Sequence, residues 1–165
     1  DFAQASHAGN AALIAQARAA LGPGPGRLLE LYAGAGNFTR GFAADGWDVV
    51  ASDAVAPARP PPVFHVGTAP DVLARLAGAA RVAGRAAAWD AIALDPPRTG
   101  AADAVDGMLA AAPRVIVYVS CDVATLARDA ARLTAGGAYQ ATDAWPLDVM
   151  PQTAHVEVVM RLQRA

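Results

Sequence analysis

Short apolar segments alternate with segments of helical periodicity along this chain. The apolar segments predict five buried strands, at about residues 28–32, 47–53, 63–66, 89–94 and 114–119. Apolar side chains that recur every three or four positions predict helices at about 9–21, 70–82, 102–111 and 122–134, with a shorter one that ends near 44. This alternation is typical of a doubly wound parallel sheet, in which a helix crosses over from one strand to the next.

The pattern departs from this alternation in two places. Near the end of the chain, two successive strands are predicted at about 138–145 and 155–162, and we expect the final strand to be antiparallel. After the second strand, four prolines fall within residues 57–62. Proline inside a helix removes a hydrogen bond and clashes with the preceding turn, so this crossover is predicted to be a loop. The prediction is a single α/β domain with a Rossmann-like, doubly wound sheet of seven strands.

Composition narrows the class of protein. The 165 residues suffice for one domain with a real core, and the single cysteine excludes an internal disulfide framework and suits a reducing compartment such as the cytoplasm. No apolar run approaches the length of a membrane span, so no membrane partner is expected. The formal net charge of -2 lacks the basic excess of a protein that binds nucleic acid unaided. Because the first residue is Asp1 rather than Met, we expect a boundary inside a longer protein.

A glycine turn follows the first predicted strand. The turn, Ala33-Gly34-Ala35-Gly36-Asn37, stands between that strand and a helix, which is the arrangement of a nucleotide site. Thr39 occupies the place of the third glycine of a dinucleotide fingerprint, so a nicotinamide cofactor is disfavoured. A merely structural tight turn remains the alternative. Asp53 ends the second strand and either accepts the hydroxyls of a ribose or caps the next turn.

Three further polar residues stand where chemistry is expected. Asp95 follows the fourth strand and Cys121 the fifth, so a doubly wound sheet brings both to the crevice beside Gly34. The helix that follows Cys121 is predicted to favour its thiolate through the helix dipole, and a buried inert cysteine is the alternative. Glu157 lies in an apolar strand, where desolvation would raise its pKa toward the range of a general base.

These residues stand in ordered blocks that resemble the catalytic domain of the RNA 5-methyluridine methyltransferases. That family uses S-adenosylmethionine to methylate uracil C5 in tRNA or ribosomal RNA. The blocks span nearly the whole chain and are Phe2-x-Gln4 with Asn10, Leu29-Glu30-Leu31-Tyr32-Ala33-Gly34-Ala35-Gly36-Asn37-Phe38, Asp95-Pro96-Pro97-Arg98-x-Gly100, Tyr118-Val119-Ser120-Cys121 with Ala124-Thr125-Leu126-Ala127-Arg128-Asp129, and Asp148-x-x-Pro151-x-Thr153-x-His155-Val156-Glu157.

The resemblance implies a fold, a cofactor and roles for matching residues. The fold would be that of class I S-adenosylmethionine-dependent methyltransferases, acting on RNA as a monomer and without a metal. Cys121 would be the nucleophile and Glu157 the base. Residues implied at the S-adenosylmethionine site are Gln4, Tyr32, Gly34, Gly36, Asn37, Asp53, Thr68 and Asp95. The family's N-terminal RNA-binding and central regions have no counterpart in residues 1–165, and an iron-sulfur cluster, where present, would belong to them.

Several positions depart from the family pattern. Asp122-Val123 replaces Asn-Pro after the nucleophile, and the charge of Asp122 would oppose thiolate formation unless it points away as a helix cap. Thr68 stands where Asn or Asp is common, and Met150 replaces a Phe. Two alternatives therefore remain beside the uracil methyltransferase: a non-catalytic S-adenosylmethionine-binding module and an amino-group methyltransferase. For the latter Asp95-Pro96-Pro97 would serve, although Arg98 replaces its usual aromatic residue.

Overall fold

The computed structural model describes residues 7–83, 89–149 and 156–165. In this part of the chain, five helices and seven strands alternate largely as predicted. In chain order they are α1 (His7–Leu21), β1 (Gly26–Leu31), α2 (Thr39–Ala44), β2 (Trp47–Asp53), β3 (Phe64–Val66), α3 (Ala69–Val82), β4 (Ala91–Leu94), α4 (Val105–Ala111), β5 (Val115–Ser120), α5 (Val123–Thr134), β6 (Tyr139–Leu147) and β7 (Glu157–Arg164).

The seven strands form one sheet in the order β3-β2-β1-β4-β5-β7-β6. Strands β1 to β5 run parallel, whereas β7 runs antiparallel to both β5 and β6, so the predicted antiparallel final strand is confirmed. The order reverses beside β1, which pairs with β2 on one side and β4 on the other. In open α/β sheets ligands bind at the carboxyl ends of the strands beside such a reversal.

Each face of the sheet is covered by its own set of helices. Helices α1 and α2 pack on one face, where Leu13 and Phe42 join the apolar cluster that contains Leu28. Helices α3, α4 and α5 pack on the other face, in a second cluster that includes Leu29 and Leu126. Neighbouring residues of β1 thus enter opposite clusters, as the alternation of side chains along a strand requires. None of the helices in the described residues has the length and apolar character to span a bilayer.

Two element boundaries differ from the sequence prediction for reasons of tertiary contact. No helix lies between β2 and β3, as the prolines predicted. Helix α4, however, begins at Val105 rather than near 102. The amide of Ala101 donates to the Tyr118 hydroxyl and to the Asp129 carboxylate. These contacts hold residues 101–104, directly before α4, in a turn. Strand β6 extends to Leu147 because its pairing with β7 continues as far as Glu157.

Candidate active site

The candidate site lies at the carboxyl edge of the parallel strands. Asp53, Asp95 and Cys121 stand at the ends of β2, β4 and β5, which share this edge. Strand β7 runs the other way, so its first residue, Glu157, reaches the same edge from the opposite direction. The fold therefore brings four side chains that were predicted to bind the cofactor or to act in catalysis to one edge of the sheet, although their strands lie far apart in sequence.

The turn after β1 requires a left-handed backbone at several positions. Tyr32, Gly34 and Gly36 have φ values of 58°, 53° and 76°. A Cβ at Gly36 would lie 3.3 Å from Thr39 Oγ1, whereas one at Gly34 would meet nothing within 4 Å. Gly34 is therefore favoured by its backbone conformation, and the space beside it is open. Tyr32 is not a glycine, and non-glycine residues in this region cluster at functional sites.

Asp53 is held by backbone donors on both sides. Its Oδ2 accepts from the amide of Gly34 at 2.9 Å, and its Oδ1 accepts from the amide of Val55 at 3.2 Å. The alternative in which Asp53 caps the following turn therefore describes a real contact. A carboxylate offers about four acceptor positions, so the two amides leave room for ribose hydroxyls. The ribose role stays a prediction.

The remaining residues implied at the cofactor site fall into three groups. Asn37 exchanges two side-chain hydrogen bonds with Asn10, at 2.6 and 3.2 Å, which tie the glycine turn to α1. Thr68 stands after β3 as the N-cap of α3, where its hydroxyl accepts from the amide of Asp71. Gln4 lies outside the described residues, as do Met150 and residues 151–155 of the last matching block.

The electrostatic environment of Cys121 corrects one prediction. Its thiol is half-buried, and its pKa lies above the usual value, chiefly because of burial and then because of the charges of Glu157 and Asp95. The charge of Arg98 opposes this effect without reversing it. The net shift is therefore opposite to the one predicted from the helix dipole, and burial is its largest cause.

Asp122, directly after the thiol, caps the helix that follows. Its Oδ1 accepts from the amides of Ala124 and Thr125 at 3.1 and 3.0 Å, so it is the N-cap of α5. These hydrogen bonds hold the pKa of Asp122 below its usual value. The carboxylate thus occupies the positive end of the helix, as the capping alternative anticipated.

Two acids at the edge are strongly desolvated. Glu157 is 2% exposed, burial raises its pKa, and its Oε2 has no hydrogen-bond partner among the described residues. The predicted shift toward the range of a general base is therefore confirmed in direction. Burial and the charge of Glu157 raise the pKa of Asp95 to about 7. The ion pairs found among the described residues involve other carboxylates, so neither Asp95 nor Glu157 has an ion-pair partner there.

Glu30 is a further buried acid that the sequence interpretation missed. It is 2% exposed in β1, and its Oε2 accepts from the Thr39 hydroxyl at 2.5 Å. Its Oε1 has no hydrogen-bond partner among the described residues. Glu30 and Asp95 both line a cavity of about 10 Å³. Burial, with a contribution from the charge of Asp95, raises the pKa of Glu30 to about 8. An acid in an apolar strand is the signal that singled out Glu157, and it was equally present here.

The pKa of Glu30 predicts a specific loss of stability as the pH rises. Its folded pKa of about 8 exceeds the ordinary value of 4.5, so the stability it contributes is complete below 4.5 and is lost as the pH rises through 8. Glu30→Gln should gain roughly 2–5 kcal/mol relative to the parent between about pH 5 and about pH 8. Urea denaturation at both pH values measures this difference. Asp48→Asn, at an exposed position, is the control. Equal pH dependence of Glu30→Gln and the parent would contradict the assignment.

The fold and the edge together define a class of protein. A parallel sheet with an antiparallel strand β7 inserted between β5 and β6, a glycine turn after β1 and an acid at the end of β2 make up the Rossmann-like fold of class I S-adenosylmethionine-dependent methyltransferases. The predicted fold class is thereby confirmed.

Comparison with known proteins narrows this class. The chain is 38% identical to the 23S rRNA (uracil(1939)-C(5))-methyltransferase RlmD of Thiobacillus denitrificans, over 99% of the chain and 40% of that protein. It is 40% identical to the RlmD of Pseudomonas putida, over 96% of the chain and 36% of that protein. No family model matches the chain. The resemblance to the RNA uracil-C5 methyltransferases is confirmed, for a region of about two fifths of these relatives' length.

A solved structure agrees with both the fold and the family. The crystal structure of the tRNA (uracil-54, C5)-methyltransferase of Pyrococcus abyssi, in complex with S-adenosyl-L-homocysteine, matches 98% of this chain and 40% of its own at a TM-score of 0.77 and 28% identity. The similarity of fold therefore extends over nearly the whole of this chain.

Proposed function

We propose that this chain is the catalytic part of an S-adenosylmethionine-dependent methyltransferase that forms 5-methyluridine in tRNA or ribosomal RNA. The observation that carries the proposal is the meeting of a half-buried thiol, Cys121, with a buried acid, Glu157, at the edge of a methyltransferase sheet. The names of the similar proteins support the choice of uracil C5. The roles of individual residues are part of the proposal.

The residues at the edge fit S-adenosylmethionine. The open space beside Gly34 and the carboxylate of Asp53 suit a ribose, and the buried carboxyl of Asp95 would be favoured in its charged form by a cationic sulfonium ligand. Tyr32, Gly36, Asn37 and Thr68 complete the proposed set, together with Gln4. When bound, the cofactor supplies an electrophilic methyl group.

Cys121 is proposed to activate the pyrimidine ring. Uracil C5 is a poor nucleophile until a thiolate adds to C6, because the new Sγ–C6 bond moves electron density onto C5 and O4. The thiol must lose its proton first, and its raised pKa predicts a small thiolate fraction in the free chain at neutral pH. Arg98, whose charge lowers that pKa, supports the reactive form.

Glu157 is proposed to complete the reaction as a general base. Once C5 carries the methyl group, the C5–H bond must break, and Glu157 accepts this proton. The electron pair left at C5 restores the C5–C6 double bond and expels the thiolate of Cys121. A carboxylate that is buried and lacks a hydrogen-bond partner has a raised pKa, and that makes it a stronger base.

The RNA substrate requires contacts beyond those of this chain. A uridine inside a helix must be unstacked or flipped to reach Cys121. The net charge of -2 provides little attraction for phosphate groups, so we propose that RNA-binding and central regions lie in the longer protein. The chain itself is proposed to be one catalytic domain that works as a monomer in the cytoplasm.

A second candidate function is favoured by one observation. The raised pKa of Cys121 disfavours the thiolate, which would suit a module that binds S-adenosylmethionine without transferring a methyl group. Such a module would bind the cofactor in calorimetry and leave every RNA unmodified.

In the decisive experiment, the protein that contains this chain is incubated with methyl-labelled S-adenosylmethionine and RNA. We expect 5-methyluridine as the labelled nucleoside, identified by mass spectrometry, and loss of one 5-methyluridine from the RNA of a strain that lacks the gene. Cofactor binding without any RNA product would support the second candidate instead. Label on an exocyclic amino group would contradict uracil C5 as the target.

A further inference from the structure

A buried carboxylate in the middle of α5 holds the loop that follows β4 against the helix. Asp129 is 0% exposed, and its Oδ2 accepts from the amide of Ala101 and from the hydroxyl of Tyr118, both at 2.8 Å. Its Oδ1 accepts from Arg128 Nε at 2.8 Å and lies 2.8 Å from Arg128 Nη2. Both oxygens thus have hydrogen-bond partners, whereas Glu30 and Glu157 each have one oxygen without a partner among the described residues.

Two neighbours of Asp129 extend the attachment along the loop. Arg128 Nη2 donates to the carbonyl of Thr99 at 2.9 Å, and Thr125 Oγ1 donates to the carbonyl of Arg98 at 3.1 Å. We call Thr125, Arg128 and Asp129 the α5 clamp. The clamp thus contacts the backbone carbonyls of Arg98 and Thr99, and it lies close to Gly100.

Gly100 shows how closely the loop approaches the helix. Its φ is 75°, and a Cβ there would lie 2.6 Å from both Arg128 Nη2 and Asp129 Oδ2. A side chain at this position would displace either the loop or the clamp, because both contacts are shorter than a carbon atom allows. The glycine is therefore required by the clamp as well as by its backbone conformation.

The clamp joins the two halves of the proposed reaction centre. The loop it holds carries Asp95 and Arg98, whereas α5 begins directly after Cys121 and its cap. The Tyr118 hydroxyl extends the network into β5. Burial, followed by the charges of Asp103 and Asp129, raises the pKa of Tyr32 to about 12. A shift of the loop against α5 would therefore change the position of Arg98 relative to the thiol.

We propose that Asp129 is a positioning residue, which fixes the loop of Asp95 and Arg98 against the helix of Cys121. The effect on turnover rests on the proposed uracil methylation, whereas the effect on the thiol does not. A misplacement of about 1 Å in a reacting geometry lowers rates by roughly 100-fold, so a loose loop would reduce kcat more than cofactor binding.

The test uses Asp129→Asn and Gly100→Ala in the full protein. Asp129→Asn removes the ionic contact with Arg128, and Gly100→Ala pushes the loop from the clamp without removing a charge. Both should lower kcat by roughly 10- to 100-fold while changing the KM for S-adenosylmethionine by less than about threefold. Both should also alter the rate at which iodoacetamide alkylates Cys121 at neutral pH by at least about threefold, followed on the Cys121 peptide by mass spectrometry.

Asp45→Asn is the matched control. It breaks another Asp–Arg pair, that of Arg18 and Asp45 between α1 and the end of α2, and should leave kcat and alkylation unchanged. The proposal is overturned if Asp129→Asn and Gly100→Ala lower the melting temperature yet keep the parent's kcat and alkylation rate. If the parent forms no 5-methyluridine, the proposed function fails, and the alkylation rates alone decide the role of the clamp.

Discussion

Replacing Cys121 by alanine is expected to abolish the formation of 5-methyluridine. The ring cannot be activated without the Sγ–C6 bond, and no second cysteine stands in the chain to supply it. Turnover should fall by at least roughly 1,000-fold, whereas S-adenosylmethionine binding, measured by calorimetry, should change by less than about threefold. Methyl transfer to RNA and nucleoside mass spectrometry measure the loss.

A mechanism-based probe separates the thiol from other causes of inactivity. RNA that contains 5-fluorouridine offers no C5 proton to remove, so the parent protein should form a stable covalent complex with it and Cys121→Ala should form none. Val123→Ala, at an exposed neighbour, is the control and should retain both turnover and the complex. Labelled product from Cys121→Ala at the parent's rate would exclude the proposed role of the thiol.

Replacing Glu157 by glutamine is expected to stop the reaction after the methyl group has been received. The C5 proton then has no acceptor, so the thiolate cannot leave and a methylated adduct between Cys121 and ordinary RNA should accumulate. Turnover should fall by roughly 100- to 10,000-fold. Denaturing gels reveal the adduct, and nucleoside analysis measures the missing product.

The same variant should make the thiol more reactive. The charge of Glu157 contributes to the raised pKa of Cys121, so its removal lowers that pKa and increases the thiolate fraction at neutral pH. Alkylation of Cys121 should therefore become faster while turnover collapses. Asp143→Asn, at an exposed acid of the neighbouring strand β6, should change neither property. Full turnover by Glu157→Gln would show that another group removes the proton.

Local patterns predicted the parts of this fold that depend on neighbours in sequence. The prolines after Asp53 excluded a helix, and the capping role of Asp122 was one of two alternatives that its place before a helix left open. The start of α4 was misplaced because Asp129, a residue of the next helix, holds Ala101 in a turn. No spacing in the sequence reveals that contact.

The pKa of Cys121 shows the same difference between local sequence patterns and tertiary contacts. A helix directly after the thiol is a local feature and predicted a favoured thiolate. Burial is the largest cause of its raised pKa, followed by the charges of Glu157 and Asp95. These acids stand in β7 and directly after β4, strands that meet β5 only in the folded sheet. Glu30 was overlooked for a different reason, because its strand was interpreted only as a support for the glycine turn.

Strand β7 ties the edge of the sheet to the proposed reaction centre. It lies between β5 and β6, so β6 is joined to the rest of the sheet only through it. Its first residue is Glu157, whereas Cys121 follows β5. Detachment of β7 would therefore release β6 and remove the proposed base, while the thiol would stay with the parallel strands.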